Sequence, residues 1–428
     1  MCSVLLLKNS SYFDVKSGCF NNNFDILIEN DRIKSIKDNK IEFQNQNIDK
    51  IIDCTDKYIL PGLFECHTHL IMLTKQGDEK LHQVLEQFVK SGITQIRDLG
   101  GPLNLIKKIS DQAIKNNFSY PDIFFSGPLL EKSPVFWKVI NDNFPDFSIG
   151  IDTIDDVSNI LKELKSAGAS VVKTFGKFDL PIYKFLCEKA GISGLRVTHD
   201  TGKPTIFHSI PVDSAIDAGV DCFEHVKALW SPSLKPEFKE KYDDLINRQS
   251  DADKVNDYIE LVLSKGFESI DEEKLDFIID KIIDNDVYIC PTLHISKLYA
   301  DKYYKDQDCS ENEKENLRKK FQLYQDIYLH FTDKMAGKKV KILVGQDGFT
   351  PEYTINEMML LKEAGLSNAE IIKGSTFYPS EWLGITDKYG SISENKIANI
   401  IILNSNPLSS IANIKDIYKV IKNGKIVN

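Results

Sequence analysis

Eight short apolar runs punctuate the middle of this chain, and each is followed by a longer stretch of helical character: YILPGLFECH, ITQIRDL, DIFFSG, SVVKTF, PTIFHS, CFEHV, VYICPT and KILVGQD. Strands that alternate with helices pair in parallel, because each crossover returns the chain to the same end of the sheet. Eight such units within about 290 residues fit a closed (β/α)8, TIM-like barrel better than an open sheet, and the expected class is α/β. The connections after the sixth and seventh runs are long. The first carries three charged helical segments (EFKEKYDDLINRQ, KVNDYIELVLSKGF, EEKLDFIIDKIID) and the second the helix ENEKENLRKKFQLYQDIYLHFTDKM. Both read as outer helices with inserted lids.

The ends follow another rhythm. Between Ser3 and Lys57 the alternating segments VLLLKN, FDILIEND and IKSIKDN are separated by Ser, Gly, Asn and Asp. The tail repeats this in ANIIILNSNPLSSI and DIYKVIKNGKIVN, with Asn423-Gly424 as a tight-turn signal. Two β-rich ends therefore flank the α/β body.

Composition narrows the function. With 42% hydrophobic against 27% charged residues the chain must fold, and 53 Lys and Arg against 63 Asp and Glu leave a net charge of -10. That balance works against phosphate-backbone binding, so nucleic acid is excluded as the expected partner and a small molecule takes its place. The eight cysteines are scattered without a CxxC pair, which reads as reduced thiols. The opening MCSVLLLKNSSYFD lacks a basic region and a long apolar run. A cytoplasmic protein with no membrane span is the expectation.

The sharpest chemical signal is His67-Thr68-His69. Residues two apart on a strand point to the same side, so both imidazoles can reach one ion. Four later runs offer further candidate ligands: Lys173 in SVVKTF, His208 ending PTIFHS, His225 ending CFEHV, and Asp347 ending KILVGQD. In a parallel barrel these ends gather at one face, where such folds place reactive groups. A lysine in a buried run is also rare unless it is paired or coordinated. His294, in CPTLHIS, is placed to contact substrate at the barrel mouth. Arg97-Asp98 reads as an ion pair supporting the barrel, and Phe136 and Trp137 as pocket lining or plain packing. His82, His199 and His330 read as structural.

On PGLFECHTHL, GITQIRDLGG, KSAGASVVKTF, GKPTIFHS, AGVDCFEHV, ILVGQDG and the stretch EMMLLKEAGLSNAEIIKGSTFYPSEWLGI, the chain resembles the amidohydrolase superfamily, in particular its imidazolonepropionase-like and prolidase-like metal-dependent hydrolases. The resemblance implies a barrel over residues 58–390 beside a small composite β-sandwich built from 1–57 and 391–428. It implies two divalent ions, Zn2+ first, one held by His67, His69 and Asp347 and the other by His208 and His225. Lys173 would bridge them as an N-carboxylated lysine. A metal-bridging hydroxide would then cleave an amide or related carbon–nitrogen bond, with Asp347 moving the proton; a dipeptide, an N-acyl amino acid or a cyclic amide are the implied substrates. A homo-oligomer is the usual state for such enzymes. Two other readings stand beside this one: a mononuclear aminohydrolase deaminating a nucleobase-like substrate, which Lys173 disfavours, and a non-catalytic scaffold. Glu65 stands where the family usually has Asp, and Gln346 where Thr is common.

Overall fold

The structure is a computed structural model and describes residues 3–43, 47–202, 209–247, 252–303 and 310–427. Five strands open the chain: β1 (Val4–Asp14), β2 (Cys19–Glu29), β3 (Arg32–Asp38), β4 (Lys50–Asp53) and β5 (Tyr58–Pro61). Nine follow in the body: β6 (Leu63–Thr68), β7 (Ile93–Asp98), β8 (Asp122–Phe125), β9 (Leu129–Glu131), β10 (Ser148–Gly150), β11 (Val171–Phe175), β12 (Arg196–Asp200), β13 (Cys222–Glu224) and β14 (Tyr288–Cys290). Three close it: β15 (Ile400–Leu403), β16 (Ile417–Lys422) and β17 (Lys425–Ile426).

Both chain ends share one sheet, in the order β17-β16-β15-β5-β1-β2-β3, with β4 also on β1. Period-two alternation in each strand turns Leu5, Leu7, Ile26, Ile28, Ile59, Ile400, Ile402 and Ile421 into a common core. Arg32 Nη1 donates to the Asn395 carbonyl across 363 residues. The expected Asn423-Gly424 turn joins β16 to β17, both residues at positive φ (49° and 73°). A Cβ on Gly424 would sit 1.7 Å from the Asn30 carbonyl oxygen, so the turn closes only on glycine.

The body strands pair in parallel in two pieces, β6-β7-β8 and β10-β9-β11-β12-β13-β14. Backbone bonds also span the seams. Ser170 N donates to the Phe125 carbonyl at 3.1 Å, Leu343 N to Ile289 at 2.8 Å and Cys66 N to Val344 at 3.0 Å. The run KILVGQD, expected as the eighth strand, thus lies between β14 and β6 but makes isolated bridges at Ile342 and Gly348 instead of a ladder. The run is tightly flanked: a Cβ on Gly345 would come to 2.6 Å from Cys290 Sγ and 2.8 Å from His67 N, so only glycine fits there, and Asp347 turns the chain at φ 56°.

The fifth run also differs from expectation. The strand between β11 and β13 is Arg196–Asp200, in register Lys173↔Thr198 and His199↔Phe223, and not the later PTIFHS. RVTHD carries the β-branched Val197 and Thr198 and ends in an Asp200-Thr201-Gly202 turn. His208 lies outside the described residues. The long connections are helical as read, at Pro236–Asn247, Ala252–Ser264, Glu272–Asp284 and Glu311–Gly337.

Inside the strands, Phe64, Cys66, Val171, Cys222, Cys290 and Leu343 form a buried layer that supports the C-terminal ends above it. Six described cysteines are free. The terminal sheet is tied to the body by Lys422, fully buried, whose Nζ meets Asp122 at 2.8 Å.

Candidate metal centre

The strand ends converge on Asp347. His67 and His69, two apart on β6, bring their Nε2 atoms to 3.4 and 3.1 Å from its Oδ1, and His225, just past β13, brings Nε2 to 3.9 Å from its Oδ2. His225 and Asp347 both sit at positive φ (65° and 56°). Backbones of that kind are costly for side-chain-bearing residues and persist where the surroundings over-determine them.

The outer atoms of these rings are fixed by neighbours. Glu224 Oε2 accepts from His67 Nδ1 at 2.7 Å, while its Oε1 pairs with Arg97 Nη2 at 2.7 Å. His225 Nδ1 pairs with the Thr292 hydroxyl. Burial is the dominant influence on His67 and pulls it down to about 3, against the attraction of Asp347, so its imidazole is neutral. A neutral ring donating through Nδ1 presents a lone pair at Nε2, aimed at a carboxylate. Two electron-rich groups face each other with no proton between them, an arrangement that a cation satisfies. Burial would raise Asp347, yet the hydrogen bond from His69 and the attraction of His225 hold it well below the usual carboxylate range. Nδ1 of His69 is buried with no hydrogen-bond partner among the described residues.

His67, His225 and Asp347 offer ligand atoms within 4.8 Å of one another; a second such group is His67, Glu224 and Cys290. The donor set of imidazoles and carboxylates fits a divalent transition ion. Lys173 points the same way from β11. It is 1% exposed, and its Nζ has no hydrogen-bond partner among the described residues, with a 4.0 Å ion contact to Asp200 as its nearest charge.

A cavity of about 380 Å³ opens over these groups. Met72, Trp137, Phe147, Phe175 and Phe349 line its apolar side; His69, Lys173, Asp200, His225, Lys227 and Asp347 line the polar one. Trp137 is therefore both wall and packing, with its ring 5.5 Å from that of Phe175. His294 is buried at the head of the helix Leu293–Tyr303, its ring 4.6 Å from Tyr353, and the cavity wall takes its neighbour Ile295.

Arg97 and Asp98 do not pair with each other. Arg97 turns inward to Glu224 and the Cys66 carbonyl, and Asp98 accepts from Leu70 N at 2.6 Å, because adjacent strand residues face opposite ways. His199 packs outward, its Nδ1 2.8 Å from Thr174 Oγ1, and His82 and His330 bond Tyr120 and Glu272. Three residues of the site carried no motif: Asp200, Glu224 and Lys227. Strand alternation could have found Glu224, which shares a face with Cys222. Asp200 was hidden by the wrong choice of fifth strand.

Residues 333–427 match the model of the amidohydrolase family. A 5-methylthioadenosine/S-adenosylhomocysteine deaminase of Dictyoglomus turgidum is 41% identical over 86 residues, 19% of this chain and 19% of its own length. The chain thus spans about a fifth of that curated relative. Whole-chain likeness comes from solved structures. A Xaa-Pro dipeptidase with bound methionine superposes at a TM-score of 0.73 with 21% identity, covering 99% of both chains. The A. niger ochratoxinase superposes at 0.74 with 15% identity, covering 99% of this chain and 95% of its own. Residues 333–427 are therefore similar to the amidohydrolase family, and the chain as a whole shares the fold of these solved structures.

Proposed function

We propose that the protein is a two-metal hydrolase of an amide or related carbon–nitrogen bond, built on a (β/α)8 barrel whose seams close through the 342–347 run. The carrying observation is the convergence of three imidazole Nε2 atoms on Asp347 beside a buried lysine with no hydrogen bond among the described residues. His67, His69 and Asp347 would hold one ion, and His225 with Lys173 the other, His208 being the expected further ligand. N-carboxylation would turn Lys173 from an ammonium that repels cations into an anionic two-oxygen ligand. When bound, the ions would lower the pKa of water and polarise the scissile carbonyl.

The chain's own groups do the rest. Asp347, kept ionised by its imidazoles, takes the proton of the attacking water at a carboxylate oxygen and returns it to the departing nitrogen. Glu224 and Thr292 keep His67 and His225 in one orientation. The aromatic wall excludes water around an apolar substrate portion. Lys227, on the polar wall, offers a cation for a substrate carboxylate, which favours a dipeptide or an N-acyl amino acid over a nucleobase-like substrate.

Elemental analysis by plasma mass spectrometry tests this first. About two transition ions per chain, with hydrolysis found in a screen of dipeptides and N-acyl amino acids, is the expected result. One ion with deamination of a purine would replace it with the mononuclear reading, to which the deaminase match lends weight.

A further inference from the structure

The fifth strand offers a carboxylate where the sequence suggested an imidazole. Asp200 ends β12 on the same face as Thr198, between Lys173 on β11 and His225 beyond β13. Its two oxygens have separate surroundings. Oδ1 is anchored: Gly202 N donates to it at 2.8 Å and Lys227 Nζ stands 3.6 Å away. Oδ2 is turned into the cavity, 3.1 Å from His225 Nε2 and 4.0 Å from Lys173 Nζ. Asp200 is 6% exposed and buried among groups that the proposed reading already assigns to an ion.

We propose that Asp200, through Oδ2, is the fifth-strand ligand of the second metal ion, completing with His225 and carboxylated Lys173 a site richer in oxygen than in nitrogen. This assignment rests on the two-ion reading above. Its chemical consequence is selectivity. A carboxylate and a carbamate beside one imidazole shift preference from Zn2+ toward harder ions such as Mn2+. Lys227 neutralises Oδ1 from outside, so the site carries less excess negative charge than its ligands alone would give it.

The test counts metal per chain by plasma mass spectrometry. Wild type, Asp200→Asn, Asp200→His and His208→Ala are loaded with Mn2+ or Zn2+ in bicarbonate, desalted and checked for folding by circular dichroism. Two ions in wild type, one in Asp200→Asn, and two in both Asp200→His and His208→Ala support the assignment. Two ions in Asp200→Asn overturn it, and one in His208→Ala alongside them gives the position to His208. Fewer than two in wild type overturn the two-ion reading and the assignment with it. Should Asp200→Asn fail to fold, the Co2+-loaded Asp200→His variant decides. Its visible absorption must differ from wild type if an oxygen donor has become a nitrogen, and an unchanged spectrum overturns the proposal.

Discussion

Glu224 does not line the cavity, yet it decides how His67 is presented. It is fully buried, and Arg97 and His67 hold it ionised against burial. Glu224→Gln leaves the Arg97 guanidinium without its anion, which costs about 3 kcal/mol or more of stability. It also loosens metal affinity roughly 10–100-fold, because the ring loses its fixed tautomer. Urea denaturation and a metal titration read the two effects separately. Glu357 supplies a pH dependence away from the ion ligands. Burial lifts it to about 8 although the Leu293 and His294 amides donate to it. The folded state therefore holds a proton that the unfolded chain releases near 4.5, and stability falls as pH rises from about 4.5 to about 8. A drop on the order of 3 kcal/mol from this carboxyl across that window, lost in Glu357→Gln, is the expected difference between urea melts of the two proteins at pH 5 and 8. At this scale the sequence was legible wherever a residue type announced itself, as at His67, His69, His225 and Asp347. It was opaque for Asp200, because a carboxylate after a strand looks like any turn residue until its neighbours are known.

Among elements, some are settled by local chemistry alone. The helix Ile154–Ala167 opens on a capping box between Thr153 and Asp156 and closes on Gly168 at φ 85°. Thr153→Ala should cost about 1 kcal/mol in a thermal or urea melt and leave hydrolysis unchanged, since the cap is remote from the cavity. The misread elements are those that long-range packing decides. PTIFHS is more apolar than RVTHD, yet RVTHD has the register with β11 and β13. KILVGQD has a strand's pattern, but it makes isolated bridges, and Gly345 is pressed between Cys290 and His67. Neither constraint is visible in a window of a few residues.

For the whole molecule, the α/β body between β-rich ends was readable from rhythm alone, and the way the two parts are fastened was not. Lys422 is buried with Asp122 as its anion. Asp122→Asn strands that ammonium and should lower stability by about 3–5 kcal/mol, a loss that differential scanning calorimetry would show. Removing the ions with a chelator should lower the melting temperature as well, and adding them back should restore it, because a ligand that binds the folded state stabilises it by mass action.

The sheet shared by both chain ends also sets a timetable. β5 pairs with β15, and Arg32 reaches a carbonyl 363 residues downstream. At roughly 5–20 residues per second on a ribosome, the first strands wait tens of seconds before their partners exist. During that interval the edge of β5 that will face β15 is bare, and bare strand edges recruit other chains. Slow synthesis or a stall within the body would therefore favour aggregation of nascent chains through that bare edge.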